Sequence, residues 1–154
     1  MYWIRYSAGS LHKAGMDGWI SSTIATGLDL PVGLTIDFVS RRLYWAEWGS
    51  NKIRASDFDG LSIRTAVELP SDSQPHGITL LNDRIYWRNF ENDKLQSSAR
   101  DGRDIQTLHT DTSDIRHIVL VPAWNQPTNR KNHCEGQKCS KLCVLTPTSY
   151  RCLA

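Results

Sequence analysis

A Tyr-Trp pair recurs at a constant interval along this chain of 154 residues, and the interval constrains the possible folds more than any other feature. Neighbouring copies are 42 positions apart, the pairs beginning at Tyr2, Tyr44 and Tyr86. Asp-Gly steps keep the same spacing, beginning at Asp17, Asp59 and Asp101. A period of about 40 to 45 residues is typical of repeat architectures in which each unit is one small supersecondary structure.

Each repeat divides into short strand-like runs, and none shows helical periodicity of any length. In the second repeat the runs are GLTID, RLYWAEW, KIRASDF and RTAVE, and the Asp-Gly step lies before the last of them. Its glycine supplies the positive φ that a tight hairpin turn requires. Four short strands at this period are the pattern of a β-propeller blade. The fold predicted is therefore all-β.

The predicted propeller is a partial one, covering residues 1–121. Two whole blades are expected at 33–68 and 77–109, with three strands of an earlier blade at 2–26 and a single innermost strand at 117–121. Since propellers close with about four to eight blades, this number does not complete a ring. We therefore expect the sequence to be a piece of a longer protein.

The repeated aromatic residues are predicted to fill the space between blades. A four-stranded sheet cannot bury both of its faces alone, so each blade packs on the next one. Large flat side chains at one strand position suit the wedge between two such sheets. The residues assigned to this packing are Trp3, Tyr44, Trp45, Tyr86 and Trp87.

The cysteines indicate an oxidising compartment. The first 133 residues contain none, and four follow close together, at Cys134, Cys139, Cys143 and Cys152. Such a cluster forms either two disulfides or a metal site. Zinc sites usually need close pairs such as C-x2-C, which this chain lacks, so disulfides are favoured and neither a metal nor another cofactor is expected. The N-terminal residues lack the basic start and apolar run of a signal peptide.

Charge and motif content argue against several classes of function. The net charge is only +2, with 18 basic and 16 acidic residues and no basic stripe, so nucleic acid is not an expected partner. No apolar run is long enough to span a membrane, so a membrane would be reached only through a segment absent from this sequence. The five histidines are scattered and no G-x-S-x-G motif occurs, so an enzyme is not predicted.

These motifs resemble the YWTD repeats, or LDL-receptor class B repeats, of the low-density lipoprotein receptor family. The features shared are the repeated Tyr-Trp, the strand LPVGLTID or QPHGITLL before it, and the Asp-Gly turn after it. In that family six blades close one propeller, and an EGF-like module follows it and packs beneath it. The resemblance covers essentially the whole chain.

The tail resembles the first two thirds of that EGF-like module. Residues 132–154 would form the truncated module, after a linker at 122–131. The resemblance implies that Cys134 pairs with Cys143, and Cys139 with Cys152. The sequence before Cys134 has no acidic calcium-ligand signature.

The chain departs from the family after each Tyr-Trp. Where the family has Thr-Asp, this sequence has Ile4-Arg5, Ala46-Glu47 and Arg88-Asn89. The family's aspartate makes hydrogen bonds that hold neighbouring blades. Glu47 and Asn89 are imperfect replacements for it, and Arg5 cannot replace it.

The resemblance implies a role in binding protein ligands on a broad propeller face, where aromatic side chains make good anchors. The candidate is Trp48, with Tyr6 and Phe90 near the equivalent point of the other repeats, and inter-blade packing is the alternative role for Trp48. His76 and His117 are candidate pH sensors, because imidazole gains charge in the endosomal range; a packing or surface role is their alternative.

The chain is accordingly predicted to belong to the extracellular part of an endocytic or signalling receptor, acting at the cell surface and in endosomes. Its partners would be protein ligands and the other extracellular domains of the same receptor. The alternative is a structural matrix protein of the nidogen type, which combines the same propeller and EGF modules without a membrane anchor.

Overall fold

The computed structural model describes residues 1–17, 20–113, 115 and 118, together with the backbone of two strands at 142–145 and 150–153. All the regular elements in these residues are β-strands, and the described part contains no helix able to cross a membrane. The predicted strand at 117–121, apart from Ile118, lies outside the described residues, as do the linker and most of the EGF-like module.

The strands form three antiparallel meanders and one hairpin. The first sheet has three strands, β1 (Tyr2–Arg5), β2 (Ser10–Ala14) and β3 (Ser21–Ala25). The second has four, β4 (Pro31–Asp37), β5 (Arg42–Glu47), β6 (Lys52–Asp57) and β7 (Arg64–Glu68). The third repeats this order with β8 (Pro75–Leu81), β9 (Arg84–Asn89), β10 (Lys94–Ala99) and β11 (Gln106–Thr110). The predicted all-β fold with a four-stranded repeat is confirmed.

The remaining hairpin lies in the predicted EGF-like region. It pairs β12 (Leu142–Leu145) with β13 (Tyr150–Leu153), and its register places the backbone of Cys143 opposite that of Cys152. The cysteine side chains lie outside the described residues, so their pairing stays a prediction.

The first strand of each whole sheet begins two residues earlier than predicted. Gly33 and Gly77, expected to start these strands, lie inside them at a bulge, with φ of 62° and 52°. A Cβ on Gly33 would lie 3.0 Å from the backbone nitrogen of Ile78 in the neighbouring sheet. The bulge therefore brings β4 and β8 close together on the inner side of the stack.

In the two Asp-Gly turns that the structure describes, at residues 59–60 and 101–102, the glycine meets two requirements at once. Gly60 and Gly102 have φ of 76° and 82°, the positive values expected of this turn. A Cβ on Gly60 would lie 2.1 Å from the carbonyl oxygen of Ile24, and one on Gly102 would lie 2.7 Å from that of Ala66. Ile24 and Ala66 belong to the outermost strand of the preceding sheet, so the turn also requires glycine for packing between sheets.

The two residues of the Tyr-Trp pair serve different interfaces because successive side chains of a strand point to opposite faces. Trp45 is fully buried with Leu11 and Ala25 in an apolar cluster between the first and second sheets. Tyr44 is buried with Ile78 and Trp87 in the cluster between the second and third sheets. Trp45 and Trp87 thus face the preceding sheet, and Tyr44 faces the following one.

Two ion pairs also link the sheets. The Lys13 ammonium binds the Asp59 carboxylate across the first interface, and the Arg100 guanidinium binds the Asp37 carboxylate across the second. Burial acts to raise the pKa of Asp37, but hydrogen bonds from Ser40 and Val39 and the charge of Arg100 outweigh it and lower this pKa. Asp37 is therefore held as a carboxylate beneath the β4–β5 turn.

Candidate functional site

Three of the residues singled out from the sequence meet at one end of the second and third sheets. The ring centroids of Trp48 and Phe90 are 5.4 Å apart, those of Trp48 and His76 6.1 Å, and those of His76 and Phe90 6.5 Å. Each side chain is partly exposed. We call this group the aromatic patch.

Strand ends place these side chains. Trp48 and Phe90 directly follow β5 and β9, and His76 is the second residue of β8. The backbone N–H of Trp48 donates to the carbonyl of Leu30 over 3.1 Å, and the N–H of Phe90 donates to that of Gln74 over 3.0 Å. These two equivalent bonds fix the start of both turns, so the aromatic rings emerge at the same level of neighbouring sheets.

A buried arginine supports the patch from below. The Arg88 guanidinium lies 4.9 Å from the ring centroid of Phe90, within cation–π range, and its side chain is only 3% exposed. It donates to Asp93 over 2.7 Å, to the Thr112 hydroxyl over 3.1 Å and to the carbonyl of Ser113 over 3.3 Å. A buried charge with these partners is satisfied, and it ties the segment after β11 to the patch.

The positions that depart from the family pattern hold the tryptophans below the patch. The indole N–H of Trp45 donates to Glu47 over 3.0 Å, and that of Trp87 donates to Asn89 over 2.9 Å. Glu47 also accepts a bond from the Ser50 hydroxyl over 2.8 Å. These bonds stay within one sheet, whereas the resemblance implied bonds between blades.

Arg5, the third departure, is exposed, and its repeat is held differently. There Trp3 stacks on His12, with ring centroids 5.4 Å apart and planes 14° apart. The imidazole of His12 in turn contacts the hydroxyls of Ser10 over 2.9 Å and of Thr23 over 3.1 Å.

The other predicted site residues are not part of the patch. Tyr6 lies in the β1–β2 turn, and no ring contact of the described residues joins it to Trp48. It nevertheless lies 42 positions before Trp48, as Phe90 lies 42 after it, so every repeat carries an aromatic residue at this turn. His117 lies outside the described residues.

A second exposed aromatic group, at the opposite end of the second sheet, was missed by sequence reasoning. Phe58 contacts Phe38 and Tyr2 at centroid distances of 6.5 and 5.6 Å, and the Arg41 guanidinium lies 5.4 Å from its ring. These residues come from three different hairpins, so no spacing in the sequence marks them as neighbours.

The described residues hold no group of three or more His, Cys, Asp or Glu side chains placed to bind a metal ion. An open cleft lies near the first sheet, lined by residues such as Tyr2, Lys13 and Ile20. The cleft is separate from the aromatic patch and lacks its clustered rings.

Three sheets of this kind, packed face to face around close inner strands, are blades of a β-propeller. No family model matches the chain. Nidogen of Drosophila melanogaster is 32% identical over 68 residues, which are 44% of this chain and 5% of that protein. The chain therefore matches only a small part of this relative.

Solved structures give the same fold. A crystal structure of a nidogen/laminin complex matches 71% of this chain and 43% of its own, with a TM-score of 0.62 and 24% identity. Virginiamycin B lyase from Staphylococcus aureus matches 75% and 40%, with a TM-score of 0.63 and 18% identity. A gluconolactonase from Xanthomonas campestris matches 64% and 33%, with a TM-score of 0.51 and 25% identity. Binding proteins and enzymes therefore share these blades, and function must be argued from the site.

Proposed function

We propose that this chain is part of an extracellular β-propeller that binds protein ligands through the aromatic patch and performs no catalysis. The observation that carries the proposal is the meeting of Trp48, His76 and Phe90, from two sheets, in a partly exposed cluster over a buried arginine. Rigid aromatic side chains with a polar rim are the usual anchors of protein interfaces. Here exposed Glu91 directly follows Phe90, and the carbonyl of exposed Asp29 accepts a bond over 3.3 Å from the backbone N–H of Gly49, the residue after Trp48.

Two extracellular settings remain open for this binding role. The similarity to Drosophila nidogen and to the nidogen/laminin complex supports a matrix protein. The repeated Tyr-Trp motif with its cysteine-rich tail supports a receptor of the LDL-receptor family. In the matrix setting the ligand would be a laminin-type protein, and in the receptor setting a cargo such as a lipoprotein particle.

The binding test compares two aromatic residues at opposite ends of the stack, the partly exposed Trp48 and the exposed Phe38. The immobilised chain is titrated with laminin and, separately, with low-density lipoprotein particles. Trp48→Ala is expected to weaken binding at least about tenfold, because a central aromatic anchor contributes about 2 kcal/mol or more. Phe38→Ala, in the β4–β5 turn away from the patch, is the matched control and should bind as the parent does.

The ligand that binds separates the two settings. Binding of laminin supports the matrix role, whereas binding of lipoprotein that weakens between pH 7.4 and 5.5 supports the receptor role. An equal loss in both variants would count against the patch as the site, and binding of neither ligand would count against both settings.

Release at low pH in the receptor setting is proposed to depend on His76. Its ring contacts Trp48 and Phe90, and its strand partner is the cationic Arg88, so a charged imidazole adds a second positive charge inside the patch. His76→Gln is expected to make the dissociation rate the same at both pH values. If the dissociation rate of the His76→Gln variant still depended on pH, the pH sensor would be His117 or a group on the ligand.

A further inference from the structure

The arginine beneath the aromatic patch lies at a position where the repeat does not require a charge. Its equivalent 42 residues earlier is Ala46, which is fully buried in the second sheet. Burial of a guanidinium is costly unless its charge and its donors find partners, and the Arg88 side chain is only 3% exposed. The second sheet forms without such a residue, so closure of the sheet does not explain Arg88.

The partners of Arg88 tie it to the segment after β11, residues 111–113. The Nε of Arg88 donates to the Thr112 hydroxyl over 3.1 Å. One terminal nitrogen donates to the Asp93 carboxylate over 2.7 Å and to the carbonyl of Ser113 over 3.3 Å. The Thr112 N–H in turn donates to the Asp93 carbonyl over 3.2 Å. Thr112 is 1% exposed and the residues on either side of it are exposed, so the segment is anchored through Thr112.

The equivalent segment of the second sheet is held without an arginine or a hydroxyl. There the side-chain oxygen of Asn51 accepts a bond from the backbone N–H of Gln74 over 2.7 Å, and its carbonyl accepts one from the N–H of Leu69 over 3.1 Å. The residue 42 positions before Thr112 is Pro70, which is exposed. The bond between arginine and threonine is therefore specific to the sheet whose turn carries Phe90.

A continuous set of contacts leads from Thr112 to the patch. The guanidinium that Thr112 accepts from lies 4.9 Å from the ring centroid of Phe90, and a cation at this distance attracts the face of a ring. Arg88 is also the strand partner of His76. Because a guanidinium is a planar fork of donors, its acceptors fix its orientation. The orientation of Arg88 in turn fixes the place of the Phe90 ring beside Trp48.

We propose that Thr112 is a positioning residue of the aromatic patch, which orients Arg88 and, through Arg88, the ring of Phe90. The proposal rests on the protein-binding role proposed above for the patch. A ring that is already fixed loses less conformational freedom when a ligand binds. Since coupling between two sites is reciprocal, ligand binding at the patch should also stabilise residues 111–113.

The ring of Phe90 can be observed without any ligand. The chain has only three phenylalanines, and Phe38 and Phe58 lie at the opposite end of the stack. NMR spectra of the chain labelled with ¹³C-phenylalanine are therefore expected to show a shifted and broadened Phe90 ring signal in Thr112→Val, with the other two unchanged. Thr112→Ser keeps the hydroxyl and should restore the parent signal. Thr110→Val, the same substitution at the exposed end of β11, is the matched control.

The ligand-binding measurement uses the same variants with laminin and, separately, with low-density lipoprotein particles. Thr112→Val is expected to weaken the binding seen in the parent about fivefold or more, although a side chain 1% exposed cannot contact the ligand. Thr112→Ser and Thr110→Val should bind as the parent does. In the parent, saturating ligand should slow hydrogen exchange at the Thr112 amide. Circular dichroism spectra matching that of the parent establish that the variants are folded.

The outcomes separate this proposal from the protein-binding role. An unchanged Phe90 signal in Thr112→Val would overturn the positioning role, whether or not a ligand binds. A shifted signal with unchanged affinity would overturn the coupling to ligand binding. Equal losses of affinity in Thr110→Val and Thr112→Val would overturn the specific role of Thr112. If the parent bound neither ligand, the protein-binding role would fail, and the Phe90 signal would still decide whether Thr112 positions the ring.

Discussion

The indole nitrogen of Trp45 donates a hydrogen bond to the carboxylate of Glu47, two residues further along the same strand, over 3.0 Å. The same bond recurs 42 positions later between Trp87 and Asn89. The carboxylate of Glu47 and the amide oxygen of Asn89 thus accept equivalent bonds in neighbouring sheets, because this position requires only an acceptor for the buried indole N–H group.

Removal of this acceptor should destabilise the stack. Glu47→Ala leaves the Trp45 N–H buried without a partner, at a cost of about 1–3 kcal/mol, and the urea midpoint of unfolding should fall accordingly. Glu47→Gln keeps an acceptor and should lose less. Glu68→Ala, which removes an exposed partner of Lys52, is the control and should change stability by under about 1 kcal/mol. Equal losses at positions 47 and 68 would contradict the role of the indole bond.

Alanine at three glycines should separate backbone strain from collision between sheets. Gly27 has φ of 71° with no atom within 4 Å of a built Cβ, so Gly27→Ala reports the cost of positive φ alone, about 1 kcal/mol. Gly102→Ala and Gly60→Ala add contacts of 2.7 and 2.1 Å to the preceding sheet. We expect the thermal midpoint of unfolding to fall most in Gly60→Ala, less in Gly102→Ala and least in Gly27→Ala. Similar losses at all three positions would show that turn geometry alone selects glycine.

The Asp37–Arg100 pair should make the stack sensitive to acid. Because the folded pKa of Asp37 is lowered, the unfolded chain binds the proton more readily, and the stabilisation is lost as the pH falls through the folded pKa, below the ordinary value of 3.8. Asp37→Asn is expected to lower the free energy of unfolding by about 1.5–3 kcal/mol at neutral pH. The free energy of unfolding, measured by urea titration, should then fall less steeply with decreasing pH than it does in the parent. Asp83→Asn is the control, because Asp83 also lies near Arg100 but is fully exposed. If the stability of the Asp37→Asn variant fell with decreasing pH as steeply as that of the parent, the pH dependence would come from other carboxylates.

Arg88 should not be replaceable by lysine. Its guanidinium reaches Asp93, Thr112 and the carbonyl of Ser113 at once, and a lysine ammonium cannot reproduce that planar set of donors. Arg88→Lys is expected to increase hydrogen exchange in the segment around Thr112 while exchange in β4–β7 is unchanged. Arg103→Lys is the matched control, because the Arg103 side chain is exposed. Unchanged exchange around Thr112 would mean that other contacts hold this segment.

The 42-residue period predicted the sheets because it reflects what one blade must contain: four strands, a glycine turn and an aromatic pair. The same period could not predict that His76 meets Trp48, because that contact depends on how closely neighbouring inner strands approach. Burial of Arg88 was equally hidden, since its partners Thr112 and Asp93 lie 24 and 5 positions away in different loops. Contacts within a sheet follow from spacing, whereas contacts between sheets require the geometry of the stack.

The close approach of Gly60 to Ile24, and of Gly102 to Ala66, always joins a turn to the outer strand of the sheet before it in the chain. Each new repeat therefore meets, as it leaves the ribosome, a surface that has already been synthesised. The order of translation is also the order in which these interfaces can close, so folding can proceed from the N-terminal sheet onward without waiting for a distant part of the chain.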